Sequence, residues 1–173
     1  MIDSKTIYKK ASALLSREYR NPKEIAEGTG IHLHYREDFR DLLGMYALVI
    51  QERFIFLNSR LEEPMTSMVL AHEIGHDQLH RSLAGAKPLQ EYTLFDMKSK
   101  TEYEANAFAA HLLLPDDDVL GLLRDGLDLA ETAGTLHVNI NLLLIKLTEL
   151  NRLGMDLRIP FDADPGFFGK IRL

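Results

Sequence analysis

The stretch VLAHEIGHDQLHRS, residues 69–82, constrains this chain more than any other part of its sequence. Three histidines recur in it at intervals of four residues, and Glu73 directly follows the first of them. At about 100° per residue, His72 and His76 lie one turn apart on the same face of a helix, so both imidazoles can reach one metal ion. Glu73 lies beside such an ion, where it can take a proton from bound water. The stretch therefore predicts a helix with two metal ligands and a general base.

The third histidine, His80, is not predicted to be a ligand. A regular helix rises about 1.5 Å per residue, so His72 and His80 stand about 12 Å apart along its axis. No glycine between His76 and His80 lets the chain turn away to bring His80 to the ion. We expect a supporting or packing role for His80 at most. Without Glu73, a histidine pair at this spacing is more often an ordinary part of a helix.

A third ligand is predicted on a second helix, TEYEANAFAAHLLL, residues 101–114. The apolar stripe of this helix consists of Ala105, Ala109, Leu112 and Leu113. Glu102 falls within the stripe, whereas Glu104 and His111 fall on the opposite side and are predicted to face solvent. A carboxylate in a core is costly unless it is paired or binds a metal, which nominates Glu102. The alternative is that Glu102 is simply an acid in the first helical turn, stabilised by the helix dipole.

The order of the elements predicts an α+β fold, with strands early and helices late. An amphipathic helix near the N-terminus and a short second helix come first, and IHLHYR (31–36) alternates like a half-buried strand. MYALVI and RFIFL (45–50 and 53–57) are predicted to form a hairpin or a tight meander. RFIFL fits two interpretations, an edge strand that adds a peptide substrate and an ordinary core strand. Residues 82–100 are predicted to be a loop.

The second half of the chain is predicted to be helical. Short helices are expected at 116–126 and 127–134, a long one at 138–154, and one strand at most in the tail. No repeat or linker interrupts the sequence, so we expect one domain over residues 1–173. Within it, residues 1–115 would hold the sheet and the site helices, and residues 116–173 a helical subregion and the tail.

Residues 127–154 show the order of a helix-turn-helix unit, an apolar helix, a turn and a second helix, but their charge disfavours DNA binding. Between positions 116 and 156 the chain has eight acidic and three basic residues. Neutralisation of phosphates supplies most non-specific affinity for nucleic acid. We therefore expect these helices to pack on the core or to dock a protein substrate, and we expect no direct nucleic-acid binding.

The composition of the whole chain narrows the class of protein further. The formal net charge of −6 disfavours binding to nucleic acid and to anionic membranes. The chain has no cysteine, so disulfides and thiolate metal sites are excluded. The first residues lack the apolar segment of a secretory signal, and no apolar run is long enough to span a bilayer. We expect a cytoplasmic protein.

The segment HEIGHDQLH, followed by EYEANAFAAHLLLP, resembles the ImmA/IrrE family of zinc metallopeptidases. That family pairs an H-E-[LI]-G-H-x-x-x-H helix with an E-x-x-A-N-x-F-A-x-x-L-L-x-P helix. The resemblance implies a small zincin-like, gluzincin-type metalloprotease domain whose hairpin or short sheet packs on the HExxH helix. It also implies Zn²⁺ bound by His72, His76 and Glu102, with Glu73 as general base on the zinc-bound water. The implied activity is intracellular endopeptidase cleavage of a regulatory protein, such as a helix-turn-helix repressor.

A second hypothesis is a zinc-dependent interaction or sensor module that binds a repressor without cleaving it. Glu73 favours the peptidase, because a purely structural zinc needs no base beside it. The sequence does not identify the group that stabilises the oxyanion. The residue types available for that role are Tyr46, Tyr92, Tyr103 and His80.

Overall fold

A computed structural model describes residues 1–15, 19, 21–95 and 99–159, and the predicted α+β fold is confirmed in this part of the chain. The helices are α1 (Ser4–Leu15), α2 (Pro22–Gly28), α3 (Met65–Ala84), α4 (Lys100–Leu113), α5 (Asp116–Arg124), α6 (Leu129–Thr135) and α7 (Ile140–Arg152). The strands are β1 (His32–Arg36), β2 (Gly44–Val49), β3 (Glu52–Asn58) and β4 (Leu89–Glu91). The strand β4 lies in the segment 82–100, which was predicted to be a loop.

The four strands form one mixed sheet in the order β1-β3-β2-β4. β1 runs parallel to β3, and β2 is antiparallel to both β3 and β4. The predicted hairpin is confirmed, and its turn at Ile50 and Gln51 has positive φ at both residues, 49° and 68°, as a two-residue turn of this type requires. Because β3 is paired on both sides, it is a core strand, and the interpretation that it adds a substrate at a free edge is wrong.

The long helix α3 lies between the sheet and α4. One side of α3 contacts β2 and β3, and the other side contacts α4. The two helices approach closely at Gly75, where an added Cβ would stand 3.0 Å from the backbone oxygen of Ala105. A small residue on each helix therefore brings the backbone of α4 against the segment of α3 that carries the histidines.

Beyond its first turn, the helix α4 has no solvent-facing side, because α1 and α7 cover the surface that α3 leaves free. The prediction that Glu104 and His111 face solvent is consequently wrong, since each is only 3% exposed. Glu104 Oε1 accepts a hydrogen bond from the backbone N–H of Ile2 at 2.7 Å. His111 Nδ1 accepts one from Lys146 Nζ at 3.0 Å. A helical wheel drawn for α4 alone does not include α1 and α7, so it cannot predict that they bury Glu104 and His111.

The three predicted C-terminal helices are confirmed as α5, α6 and α7. The leucine-rich face of α7 is buried against α4, as the packing hypothesis expects. Lys146 on α7 is also buried and pairs with Asp116 at the start of α5. Residues 160–173 lie outside the described residues, and with them most of the tail for which one strand was expected. Among the helices described, none is both long and apolar enough to cross a membrane.

Candidate metal centre

His72, His76 and Glu102 come together between α3 and α4. The two Nε2 atoms of His72 and His76 are 3.0 Å apart. Glu102 Oε2 lies 3.2 Å from the first and 3.5 Å from the second. A tetrahedral zinc ion with bonds of about 2.0 to 2.1 Å separates its ligand atoms by about 3.3 Å. The three atoms therefore have the mutual spacing of ligands on a single ion.

Glu102 occupies its position because of where α4 begins. Ser99 caps this helix, and its hydroxyl accepts a hydrogen bond from the N–H of Glu102 at 3.1 Å. The cap leaves the carboxylate of Glu102 free to turn towards the histidines of α3. Its side chain is 26% exposed, so it lies at the rim of the core. Glu102 is thus both an acid in the first helical turn and a neighbour of the histidine pair. The two alternatives considered from the sequence are therefore compatible with each other.

The electrostatics of this cluster favour a bound cation. Burial alone would raise the pKa of Glu102, but its proximity to the imidazoles of His72 and His76 holds the pKa well below its ordinary value. Burial lowers the pKa of His76 to about 4. For His72, burial is outweighed by Glu102 and Glu91, which raise its pKa to about 10. A positive charge between the imidazoles and these carboxylates is therefore stabilised, and a divalent metal ion supplies one.

Glu73 lies beside the cluster and is fully buried. Neither oxygen of its carboxylate has a hydrogen-bond partner among the described residues, and Glu102 Oε2 has none either. Burial raises the pKa of Glu73 to about 8. An isolated buried carboxylate is costly unless something binds it, so these oxygens fit a site that binds a metal ion. Two imidazole nitrogens and one carboxylate oxygen are a donor set that suits zinc.

Each histidine of the cluster is held through its second ring nitrogen. His72 Nδ1 lies 2.9 Å from Oδ1 of Asn106. His76 Nδ1 lies 3.0 Å from His80 Nδ1, and His80 Nε2 lies 2.9 Å from Glu104 Oε2. If Nε2 of His76 faces a metal ion, its Nδ1 carries the proton and donates to His80, and His80 Nε2–H in turn donates to Glu104. These contacts fix the orientation and the tautomer of both imidazoles.

His80 lies outside the group of atoms that can share one ion, in agreement with its predicted exclusion. The backbone of α3 leaves the helical conformation at His80, with φ −126° and ψ 19°. Its ring contacts His76 one turn back and reaches Glu104 on α4 on its other side. The spacing of four residues between His76 and His80 was the sequence signal for the first contact. The second contact required knowledge of how α4 packs.

Sequence reasoning missed Glu91, the last residue of β4. Its Oε2 lies 3.0 Å from His72 Nε2, and the residue is only 5% exposed. Glu91 is brought there by the pairing of β4 with β2, in which it lies opposite Gly44. The three-residue strand has no clear period, so no pattern in the sequence pointed to it.

The structure distinguishes the four residues that were considered for oxyanion stabilisation. Tyr46 donates its hydroxyl to Asp77 Oδ1 at 2.8 Å inside the core. Tyr103 donates its hydroxyl to Glu149. His80 is engaged by His76 and Glu104. Tyr92, next to Glu91, is 55% exposed and is the remaining candidate.

The chain matches the model of a known family and is similar to a phage protein. Residues 14–148 match the model of a peptidase family described as the IrrE N-terminal-like domain, and this range includes every residue of the cluster. A protein of Bacillus phage phi105, "Uncharacterized immunity region protein 2", is 36% identical over 113 residues. That alignment covers 64% of this chain and 70% of the phage protein.

Proposed function

The chain belongs to the IrrE N-terminal-like peptidase family, and from this premise we propose that it is a zinc-dependent endopeptidase that cleaves a regulatory protein. The observation that carries the proposal is the fully buried carboxylate of Glu73, which has no hydrogen-bond partner among the described residues. It lies beside the His72–His76–Glu102 group, whose atoms have metal-ligand spacing. A structural metal site has no use for such a carboxylate, whereas peptide hydrolysis needs a base at that place.

In the proposed mechanism, His72, His76 and Glu102 hold the ion. When bound, zinc supplies Lewis acidity, which makes water acidic near neutral pH and polarises a carbonyl. Glu73 accepts a proton from the attacking water as the water oxygen bonds to the scissile carbonyl carbon. Glu73 then delivers that proton to the amide nitrogen as the carbon–nitrogen bond breaks. The hydrogen bonds of Asn106 and of His80 keep the two imidazoles aimed at the ion throughout.

The substrate proposed is a helix-turn-helix transcriptional repressor, as the family resemblance implies. The name of the phage relative, an immunity region protein, is consistent with a regulatory setting. We propose that the described helices and the tail act as one unit, residues 1–173, in the cytoplasm. No direct contact with nucleic acid is proposed, because the leucine face of α7 is buried against α4 and cannot enter a DNA groove.

The test uses the purified chain loaded with zinc, together with a candidate helix-turn-helix repressor chosen from the products of neighbouring genes. We expect the wild-type chain to cut the repressor at one site and Glu73→Gln to bind zinc normally but leave the repressor intact. If wild type binds zinc and the repressor without cutting it, the alternative is correct: a zinc-dependent interaction or sensor module. If Glu73→Gln cuts as fast as wild type, Glu73 is not the base.

A further inference from the structure

A chain of hydrogen bonds connects the N-terminal segment to a proposed metal ligand. The backbone N–H of Ile2 donates to Glu104 Oε1 at 2.7 Å, and Oε2 of the same carboxylate lies 2.9 Å from His80 Nε2. His80 Nδ1 in turn lies 3.0 Å from Nδ1 of His76. Three contacts therefore lead from the second residue of the chain to the imidazole of His76, whose Nε2 faces that of His72 in the candidate metal centre.

The position of the Ile2 N–H is fixed by the helix that follows it. The side chain of Asp3 caps α1, since it accepts hydrogen bonds from the backbone N–H and the hydroxyl of Thr6 at 3.0 and 2.7 Å. The helix α1 packs against α4, and its residue Ile7 is buried. The packing of two helices therefore sets the donor at Ile2 relative to its acceptor, Glu104.

Glu104 depends on this donor. Within the part of the chain that the structure describes, each of its oxygens has one hydrogen-bond partner, Ile2 for Oε1 and His80 for Oε2. Glu104 is buried, so an oxygen that loses its donor cannot turn to water instead. Loss of the Ile2 donor would leave a buried acceptor without a partner, and the carboxylate would turn towards another donor. The oxygen that holds His80 would move with it.

The N-terminal segment lies at the surface, beside a cavity of about 540 Å³. Met1 is 78% exposed, and Met1, Ile2 and Tyr103 are among the residues that line the cavity. Residues 1–3 can therefore shift into free space without disrupting the packing of α3 against α4. One end of the chain of hydrogen bonds lies in the core, at His76, and a change at the surface can reach the other end.

Resting on the proposed function, we infer that Ile2 is a positioning residue, whose backbone N–H makes residues 1–3 set the affinity of the site for its metal ion. With the N–H in place, Glu104 holds His80, and His80 accepts the Nδ1 proton of His76, which leaves Nε2 of His76 free for the ion. Without the N–H, His80 is held less firmly, and the tautomer of His76 that binds through Nε2 is less favoured. The coupling is reciprocal, so metal binding also holds the N-terminal segment more firmly.

The experiment removes the N–H and measures metal affinity rather than peptidase activity. Ile2→Pro lacks the donor, whereas Ile2→Ala keeps the donor and loses only the isoleucine side chain. All chains are released from an N-terminal fusion directly before Met1, so that none loses that residue in the cell. We expect Ile2→Pro to bind Zn²⁺ about tenfold more weakly than Ile2→Ala, the lower end of the loss expected when the support of a metal ligand is removed. Competition with a chromophoric chelator gives these affinities.

Two comparisons separate positioning from a general loss of stability. Ser4→Pro places a proline at the first residue of α1, where proline fits and the N–H has no partner within the helix. This variant should bind Zn²⁺ like wild type. In a Glu104→Ala background, Ile2→Pro and Ile2→Ala should bind Zn²⁺ equally, because the group through which Ile2 acts is gone.

Equal Zn²⁺ affinities of Ile2→Pro and Ile2→Ala would overturn the inference, and so would a difference of about tenfold that persists without Glu104. If Ile2→Pro folds poorly, hydrogen exchange of the Ile2 amide decides, followed by NMR in wild type labelled with ¹⁵N-isoleucine. Zn²⁺ should slow this exchange by about tenfold, since the coupling is reciprocal, and an unchanged rate would contradict it.

These results are distinguishable from a failure of the proposed function. A wild-type chain that binds Zn²⁺ but cuts no repressor would refute the peptidase, while the dependence of Zn²⁺ affinity on Ile2 would still support the inference. A wild-type chain without affinity for Zn²⁺ would refute both.

Discussion

Gly44 lies directly against the carboxylate of Glu73. A Cβ atom at position 44 would stand 2.5 Å from Oε1 of Glu73 and 2.7 Å from Cγ1 of Val69. Since Glu73 has no hydrogen-bond partner among the described residues, packing holds its carboxylate in place, and the first residue of β2 is part of that packing. The sheet thus contributes to the position of the proposed base without contributing a polar group.

Substitution of Gly44 by alanine is expected to damage catalysis more than metal binding. The added methyl group pushes the Glu73 carboxylate away from its position, and general-base catalysis is worth about 10²- to 10⁴-fold in rate. We expect kcat to fall by at least about tenfold, with Zn²⁺ stoichiometry unchanged and a loss of about 1 to 3 kcal/mol in the free energy of unfolding. Repressor cleavage, metal analysis and urea unfolding measure the three quantities.

The matched control for this substitution is Gly121→Ala in α5. An added Cβ there meets nothing within 4 Å, and alanine favours a helix over glycine by about 1 kcal/mol. Activity should be unchanged and stability equal or higher. A Gly44→Ala variant with the activity of this control would show that Glu73 does not depend on contact with β2.

The relay from His76 through His80 to Glu104 is expected to tune the affinity for zinc. Loss of such supporting hydrogen bonds costs about 10- to 100-fold in metal affinity. His80→Ala and Glu104→Ala should therefore bind zinc about 10- to 100-fold more weakly than wild type but still bind it, whereas Glu102→Ala should lose it. Competition with a chromophoric chelator gives these affinities. The exposed Ser82→Ala on α3 is the control, and zinc retained by Glu102→Ala would contradict the ligand assignment.

Two of the tyrosines considered for oxyanion stabilisation, Tyr92 and Tyr46, are expected to differ in their effects. Tyr92→Phe should lower kcat by about 10²- to 10³-fold, the usual loss on removal of an oxyanion donor, with metal affinity unchanged. Tyr46→Phe should keep kcat, because its hydroxyl is bound to Asp77, and lose about 1 to 3 kcal/mol of stability. Single-turnover cleavage and urea unfolding distinguish the two effects. Normal kcat in Tyr92→Phe would remove it from the mechanism.

His111 is expected to make the fold sensitive to acid. Burial first, and then the charge of Lys146, lower its pKa from 6.5 to about 3, against the opposing effect of Asp116. The other polar group against it is Tyr8, whose ring packs edge-on to the imidazole. Below about pH 6.5, His111 binds a proton in the unfolded chain but stays neutral in the folded protein until the pH approaches 3. The stability contributed by neutral His111 is therefore complete above pH 6.5 and is lost as the pH falls towards 3.

Replacement of His111 by asparagine removes this proton uptake. Between pH 6 and pH 4, the free energy of unfolding of the variant should fall less steeply than that of wild type, by up to about 1.4 kcal/mol per pH unit. Urea unfolding of both proteins at several pH values, under one metal condition, gives the difference. The control is His137→Asn, an exposed site whose left-handed backbone, φ 53°, also suits asparagine. Parallel slopes for wild type and His111→Asn would contradict the prediction.

The parts of the site that follow from a single helix were predictable from the sequence. His72 and His76 lie together because they are one helical turn apart. Glu102 was predicted because a carboxylate in the apolar stripe of a helix is costly to bury unless it is paired or binds a metal. Glu104 was misplaced because its burial depends on α1 and α7, which are distant in the sequence. When a helix is buried on both sides, the buried residues can be polar if they have hydrogen-bond partners. The apolar pattern of the helix sequence then does not indicate that burial.

Glu91 shows a different limit of sequence reasoning. Its proximity to His72 depends on the register between β4 and β2, in which Glu91 lies opposite Gly44. A strand of three residues is too short to display the alternation from which strands are predicted. Register between such segments is set by the surrounding tertiary packing, and that packing could not be derived from residues 82–100 alone.

The hydrogen bond between the N–H of Ile2 and Glu104 links positions 102 residues apart. Contacts of such long range form late, because a large loop of chain must be ordered before they add stability. While the chain is still being synthesised, α3 and its histidines are available before α4 has met the N-terminal segment. The contacts that orient His76, through His80 and Glu104, are therefore complete only near the end of folding. The protein should reach its highest affinity for a metal ion only when it is fully folded. A partly folded, nascent chain should therefore compete poorly for zinc.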